Sequence, residues 1–127
     1  MRHKTNWWNS VLTKSEKKNL INAFDNKKLS MGEISHKFEK DFSNLTSSKY
    51  SLATTSGTMA LYLALKSLGI KKNDEVLVPA FTWVSTANAP LMIGAKVILV
   101  DIDKNKPVIN IDDLKKKISK KTKAIIC

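Results

Sequence analysis

The sequence has one cysteine, Cys127, and one arginine, Arg2. A single thiol excludes a disulfide framework and fits a reducing compartment. No run reaches the roughly 18 apolar residues of a membrane span. The opening Met-Arg-His-Lys-Thr-Asn-Trp-Trp lacks the apolar core of a secretory signal. These absences give the expectation of a cytoplasmic protein with no membrane partner. There is also no internal repeat and no low-complexity linker. Cys127 has no His or Lys immediately beside it to lower its pKa, so it reads as a buried strand residue.

What the chain has in excess is lysine. Of 22 basic residues, all but Arg2 are Lys, and the formal net charge is +11 over 127 residues. Such a charge raises nucleic acid or another anionic surface as a partner. Nucleic-acid readers, however, draw on Arg for bidentate contacts. The lysines here are scattered among Asn and Ile, which looks like coding bias, so no nucleic-acid partner is expected. The cluster Lys115-Lys116-Lys117, continued by Lys120 and Lys121, reads as the solvated face of a helix.

The first 45 residues read as a helical arm. Thr13-Lys-Ser-Glu16 is a capping-box pattern, followed by Leu20, Ile21 and Phe24 on one face. Ser30-Met-Gly-Glu33 offers a second cap, and Ile34, Phe38 and Phe42 then recur every fourth residue as a packing stripe. Asp25–Leu29 links the two helices. Residues 46–127 form a second region in which strands and helices alternate. Tyr50–Thr54, Glu75–Pro79, Lys96–Val100 and Lys123–Cys127 read as strands. Thr58–Leu68, Thr82–Ile93 and Ile111–Ser119 read as helices, with Gly69 and Gly94 ending the first two and Pro90 expected to bend or interrupt the second. This β-α-β-α-β-α-β order predicts an α/β fold with a mostly parallel sheet and right-handed crossovers. The last residues, Ala124-Ile-Ile-Cys127, stop inside a strand pattern. A parallel sheet needs its neighbours, so the chain is expected to be the front piece of a longer protein, poorly soluble alone because of its exposed strand edges.

Ligands of open α/β sheets bind beyond the carboxyl ends of the strands. Two loops leave strands there. Thr55–Thr58 runs into a helix N-terminus, where free N–H groups and the helix dipole suit a phosphate. Gly57 admits close backbone approach, and Ser56 and Thr58 add hydroxyls. Read alone, this loop is equally a good helix cap. The second loop, Ala80–Ser85, carries Phe81 and Trp83. Trp83 offers a flat face for a planar ring, or else both aromatics fill the core. A phosphate cradle beside an aromatic platform suggests a ligand with both parts. Pyridoxal phosphate and nucleotides qualify.

The stretch from Thr54 to Asp103, with "NDEVLVPAFTWVSTANA" at its heart, resembles the amino-terminal part of the DegT/StrS group of nucleotide-sugar aminotransferases, which are fold type I PLP enzymes. So do "LSMGEISHKFEKDF" upstream, with Gly32 and the Phe38-Glu39 pair, and "INIDDLKKKISKKTKAII" downstream. The similarity covers nearly everything after about residue 12. It implies a three-layer α/β/α large domain, begun within residues 46–127 and incomplete, preceded by the two-helix arm of residues 1–45. It implies pyridoxal 5'-phosphate as cofactor, its phosphate held by Gly57 and Thr58 beside Ser56. Trp83 would stack on the pyridine ring, with Ser85 near the same pocket. Met59 is bulkier than the family's usual small residue. The implied reaction moves an amino group from an amino acid such as glutamate to a keto-sugar nucleotide, in polysaccharide or amino-sugar biosynthesis, within a homodimer that shares its active sites.

The resemblance supplies no catalytic residue here. The family's Schiff-base lysine and its carboxylate against the pyridinium nitrogen lie downstream of Cys127. Lys66, Lys71 and Lys72 read as surface residues, and the chain alone is expected to be inactive. Two rivals stand beside transamination: a sugar dehydratase of the same family, in which that lysine is replaced, and a non-catalytic truncated basic protein that binds an anionic partner. Asp101-Ile-Asp103 looks like a metal motif but reads more simply as a strand end, and His3 and His36 lack partners at ligand spacing, so no metal is expected. Trp7-Trp8 could pack the arm onto the body or onto a partner subunit.

Overall fold

The computed structural model describes residues 10–127; Trp7, Trp8 and His3 lie outside that range. The chain divides into two compact units, with the boundary between Ala53 and Thr54.

In the first unit, α1 (Lys14–Asp25) and α2 (Glu33–Thr46) are followed by an extended segment ending at Ala53. The capping box at Thr13 forms: its hydroxyl accepts from the Ser15 N–H at 3.2 Å, and Glu16 accepts from the Thr13 N–H at 2.6 Å. The second cap does not. Gly32, not Ser30, holds the N-cap position of α2, with no side-chain hydrogen bond there. Glu33 is therefore the first helical residue instead of the third, and its carboxylate turns back to Lys28 at 2.5 Å. His36 is exposed, with Nδ1 3.3 Å from Glu39 Oε2. Leu20, Ile21, Phe24, Ile34, Phe38 and Phe42 are solvent-exposed among the described residues. The expected stripe thus exists as a helix face, with Phe38 and Phe42 tilted against each other at 6.0 Å.

Tyr50–Thr54 is not a strand. Its polar groups are taken by α2 and not by a ladder: Glu39 Oε1 accepts from the Ala53 N–H at 2.9 Å, and Ser43 Oγ donates to Ser51 Oγ at 3.1 Å.

The second unit is an α/β sandwich with a three-stranded parallel sheet. Its elements are α3 (Gly57–Ser67), β1 (Glu75–Pro79), α4 (Ser85–Ile93), β2 (Lys96–Val100), α5 (Ile111–Lys117) and β3 (Thr122–Ile125), with strand order β2-β1-β3. β1 pairs with β2 in unbroken register from Glu75↔Lys96 to Pro79↔Val100. Its pairing with β3 slips between Glu75 and Val76, where Ser119 Oγ donates to Glu75 Oε2 at 2.5 Å. The chain crosses from β1 to β2 on one side, then returns past β1 to β3 on the other. With both crossovers right-handed, α4 and α5 fall on opposite faces of the sheet. That is the three-layer arrangement.

The apolar run of β1 explains its central place. Val76, Leu77 and Val78 are fully buried, each worth about 1.5–3 kcal/mol relative to exposure. Val76 and Val78 share a core with Leu65 and Ile70 from the α3 end and with Ala89 and Ala95 from the α4 side. Pro90 does not interrupt α4. It lies inside the helix with its ring fully buried, so one missing N–H is offset by close packing. The helix starts at Ser85, later than expected, because Thr82–Val84 are used in a turn closed by the Thr86 N–H on the Trp83 carbonyl at 2.9 Å. The strand expected to begin at Lys123 is β3, the last of three. Cys127 lies beyond it and is exposed, not buried: the last link to β1 is the Ile126 N–H on the Leu77 carbonyl at 2.9 Å.

Four helices end alike. After α3, Gly69 has φ +77°, the Gly69 N–H bonds the Lys66 carbonyl and the Ile70 N–H bonds that of Leu65. Gly94 does the same after α4 at φ +84°. After α1 and α2 the left-handed residue is Lys27 (φ 54°) and Ser47 (φ 53°), with the same pair of hydrogen bonds. A side chain in this conformation costs about 1–2 kcal/mol relative to glycine. Ser47→Gly and Lys27→Gly should therefore raise stability by up to about 1 kcal/mol, and Gly69→Ala should lower it by about 1 kcal/mol. Urea midpoints measure both.

Glu39 provides a pH test. The Ala53 N–H, and after it His36, hold its carboxyl below the ordinary glutamate value. The folded value is lower than the unfolded one, so the associated stability is complete above the unfolded pKa and is lost as pH falls through the folded one. The Ala53 amide resonance should shift, and its protection relative to the intrinsic exchange rate should fall, as pH drops through the folded-state pKa of Glu39, and Glu39→Gln should remove that pH dependence.

Candidate functional site

Ser56 caps α3, its hydroxyl oxygen accepting from the Met59 N–H at 3.2 Å. The Thr54 hydroxyl donates to the Ser56 carbonyl at 2.9 Å and shapes the turn in front of the helix. Among the described residues, nothing accepts from the backbone N–H of Gly57 or Thr58. Both donors lie in the first turn of α3, where the macrodipole is positive.

Gly57 is not required by the fold. Its φ lies outside the left-handed range, and a Cβ added to it meets no heavy atom within 4 Å. A glycine in a helix costs stability against alanine. Among the described residues, no neighbour explains this one.

Charge placement separates α3 and α4 from the other helices. α1, α2 and α5 each carry acid in the first turn: Glu16, Glu33, and the pair Asp112 and Asp113. α3 and α4 carry none. Of the three helix starts at this end of the sheet, those of α3 and α4 thus carry no acid in their own first turn, whereas the start of α5 carries Asp112 and Asp113.

The topology brings these two starts to the same end. α4 leaves β1 at its carboxyl end. α3 reaches β1 at its amino end, so its own start lies toward the carboxyl end, and α3 packs directly against α4. The chain reverses its winding direction on the crossover from β2 to β3, which puts the switch between the adjacent strands β1 and β3.

Trp83 and Phe81 do not fill the core; they are 69% and 70% exposed. Both stand on the loop between β1 and α4, just past the buried Pro79. Ser85 is the first residue of α4 and half-buried. Ser56, Gly57 and Thr58 thus sit at one helix start, and Trp83 and Ser85 at the start of its neighbour. The spacing of residues 82–86 hid a further feature. Thr82 Oγ1 and Thr86 Oγ1 are 3.1 Å apart across this loop, and Thr86 is buried. A Thr-x-x-x-Thr pair straddling a tryptophan was the available signal.

The remaining candidates play structural parts. Lys66 lies in the last turn of α3, away from the site, and Lys71 and Lys72 in the turn before β1. Asp101 Oδ1 accepts from the Ile102 N–H and Asp103 Oδ1 from the Asn105 N–H, each at 2.8 Å, closing turns of their own backbone. Of the basic cluster, Lys115 and Lys116 are exposed on α5 and Lys117 pairs with Asp113 at 2.7 Å.

Two helix starts without acid and an exposed tryptophan thus stand at the carboxyl end of a parallel α/β sheet. The chain belongs to the DegT/DnrJ/EryC1/StrS aminotransferase family, whose profile matches residues 10–127. It is 38% identical over 117 residues to the GDP-perosamine synthase of Escherichia coli O157:H7, covering 91% of this chain and 32% of that protein. Among solved structures, it superposes with a TM-score of 0.84 and 34% identity on the E. coli GDP-4-keto-6-deoxy-D-mannose-3-dehydratase with bound hydrated PLP, covering 92% of this chain and 32% of that one. The aminotransferase from Psychrobacter cryohalolentis gives a TM-score of 0.87 at 28% identity, covering 97% of this chain and 31% of that one. The chain therefore spans about a third of the length of these relatives. Its fold is that of the aminotransferase-fold chains it superposes on, as the sequence resemblance implied.

The two ends of the cradle should respond differently to substitution. Ser56→Ala removes a cap and should cost about 1 kcal/mol. Gly57→Ala should leave the melting temperature unchanged or slightly raised. Thermal unfolding followed by circular dichroism distinguishes them.

Proposed function

We propose that this chain supplies the cofactor cradle of a PLP-dependent aminotransferase acting on a keto-sugar nucleotide. The observation that carries the reading is the pair of helix starts without acid, with the N–H groups of Gly57 and Thr58 unpartnered and a glycine that no neighbour demands. These residues fit a phosphate monoester. The backbone of Gly57 and Thr58 would donate to its oxygens, with the hydroxyls of Ser56 and Thr58 completing the cradle. Trp83 would cover one face of the pyridine ring and keep water from it. Ser85, at the start of α4, would border the same pocket.

Bound PLP would supply an electron sink at the carbon that carries the amino group. This chain's own part is to bind and orient the cofactor. The proton-moving lysine and the carboxylate at the ring nitrogen would come from the part of the protein that corresponds to the remaining two-thirds of the relatives' length. The amino donor would be an amino acid such as glutamate, the acceptor a GDP-linked or related keto-sugar nucleotide, and the assembly a homodimer working in the cytoplasm in polysaccharide or amino-sugar biosynthesis.

The likeness to a dehydratase at 34% identity supports a second reading, in which the same cradle serves removal of a sugar hydroxyl. One assay separates the two. The intact protein is incubated with PLP, glutamate and a GDP-linked 4-keto-6-deoxy sugar, and the products are read by mass spectrometry. Transamination is expected to give an amino sugar and one 2-oxoglutarate per turnover. A deoxygenated ketose with no retained nitrogen would establish the dehydratase reading, and an unchanged sugar would count against both for this substrate. Gly57→Ala should weaken PLP binding about tenfold or more, as its added Cβ meets the phosphate, while Trp83→Ala should weaken it several-fold.

A further inference from the structure

We infer that Thr86 is a positioning residue that fixes the direction of Trp83, an assignment resting on the cofactor reading above. Trp83 is 69% exposed, so core packing does not hold its ring. What is fixed is its backbone. The Trp83 carbonyl accepts from the Thr86 N–H at 2.9 Å, and the hydroxyl of Thr82, one residue before Trp83, meets the hydroxyl of Thr86 at 3.1 Å. Residues 82 to 86 are thereby closed into a brace with Trp83 at its outer edge.

Thr86 is the anchor of the brace. It is 8% exposed, the one polar residue in the buried core among the described residues. A buried hydroxyl is costly unless it is bonded, and the bond it makes points outward to the loop. Threonine also has few side-chain rotamers, so its Oγ1 is a rigid post. Thr82, exposed, is tied to that post. The brace makes an exposed loop tryptophan a preorganised platform and lowers the entropy lost when a ring settles on it.

The experiment uses the intact protein labelled with 5-fluorotryptophan and compares wild type, Thr86→Val, Thr86→Ser, Thr82→Val and Trp83→Ala. The readouts are the 19F resonance of Trp83 without ligand, the Kd for PLP, and the melting temperature. Thr86→Val keeps the shape and removes the hydroxyl. It is expected to broaden or shift the Trp83 resonance and weaken PLP binding roughly fivefold, the equivalent of one hydrogen bond. Thr86→Ser should restore both. Thr82→Val removes the exposed half of the brace and leaves the buried Thr86 hydroxyl without its partner, so it should give the same changes together with a lowered melting temperature. The proposal is overturned if both valine variants leave the Trp83 resonance and the PLP Kd at wild-type values while Trp83→Ala weakens binding. If wild type binds no PLP, or Trp83→Ala binds it as wild type does, the cofactor reading itself has failed and the brace has no ligand to serve.

Discussion

The burial of β1 is the constraint on which the second unit depends. Val76, Leu77 and Val78 can be fully hidden only if strands flank β1 on both sides and helices cover both faces. That requirement sends the chain back across the sheet after β2, and the return creates the switch point. It also sets α3 and α4 side by side with their starts at one end. The helix ends are equally determined: Leu65 and Ile70, which close the turn after α3, belong to the same core as β1. The geometry of the cradle is thus a by-product of hiding three side chains.

Electrostatics then distinguishes the site from the scaffold. A helix start that serves only stability gains from an acid in its first turn. α1, α2 and α5 follow that rule, and α3 and α4 do not. The stabilisation forgone at two adjacent helices is modest, and it leaves their first turns without a negative side chain. The overall charge of +11 contributes a favourable field for any anionic ligand.

Much of this was legible in the sequence, for identifiable reasons. Glu75–Pro79 and Lys96–Val100 are short apolar runs bounded by turn residues, and both are strands with those bounds. Gly69 and Gly94 marked helix ends because left-handed backbone favours glycine. Lys27 and Ser47 adopt the same conformation, and nothing in their residue type announced it. Tyr50–Thr54 has a strand's composition, but its backbone donor found the Glu39 carboxylate at a distance of fourteen residues in sequence, which no local pattern encodes. The exposure of Trp83 and the burial of Thr86 depend on where the chain goes after β1. Residue type alone would have placed the two the other way round.

Gly57 has a consequence for how such a chain would change over generations. Most positions in a fold are held by stability and function together, and their substitution says little about which was lost. Here the two are separated, since the backbone neither strains nor crowds at residue 57. Were a lineage to abandon its ligand, this glycine would drift toward helix-forming residues without penalty, while Gly69 and Gly94 would remain. With the cofactor role proposed above, the residue found at position 57 would serve as a record of whether selection for the ligand is still in force.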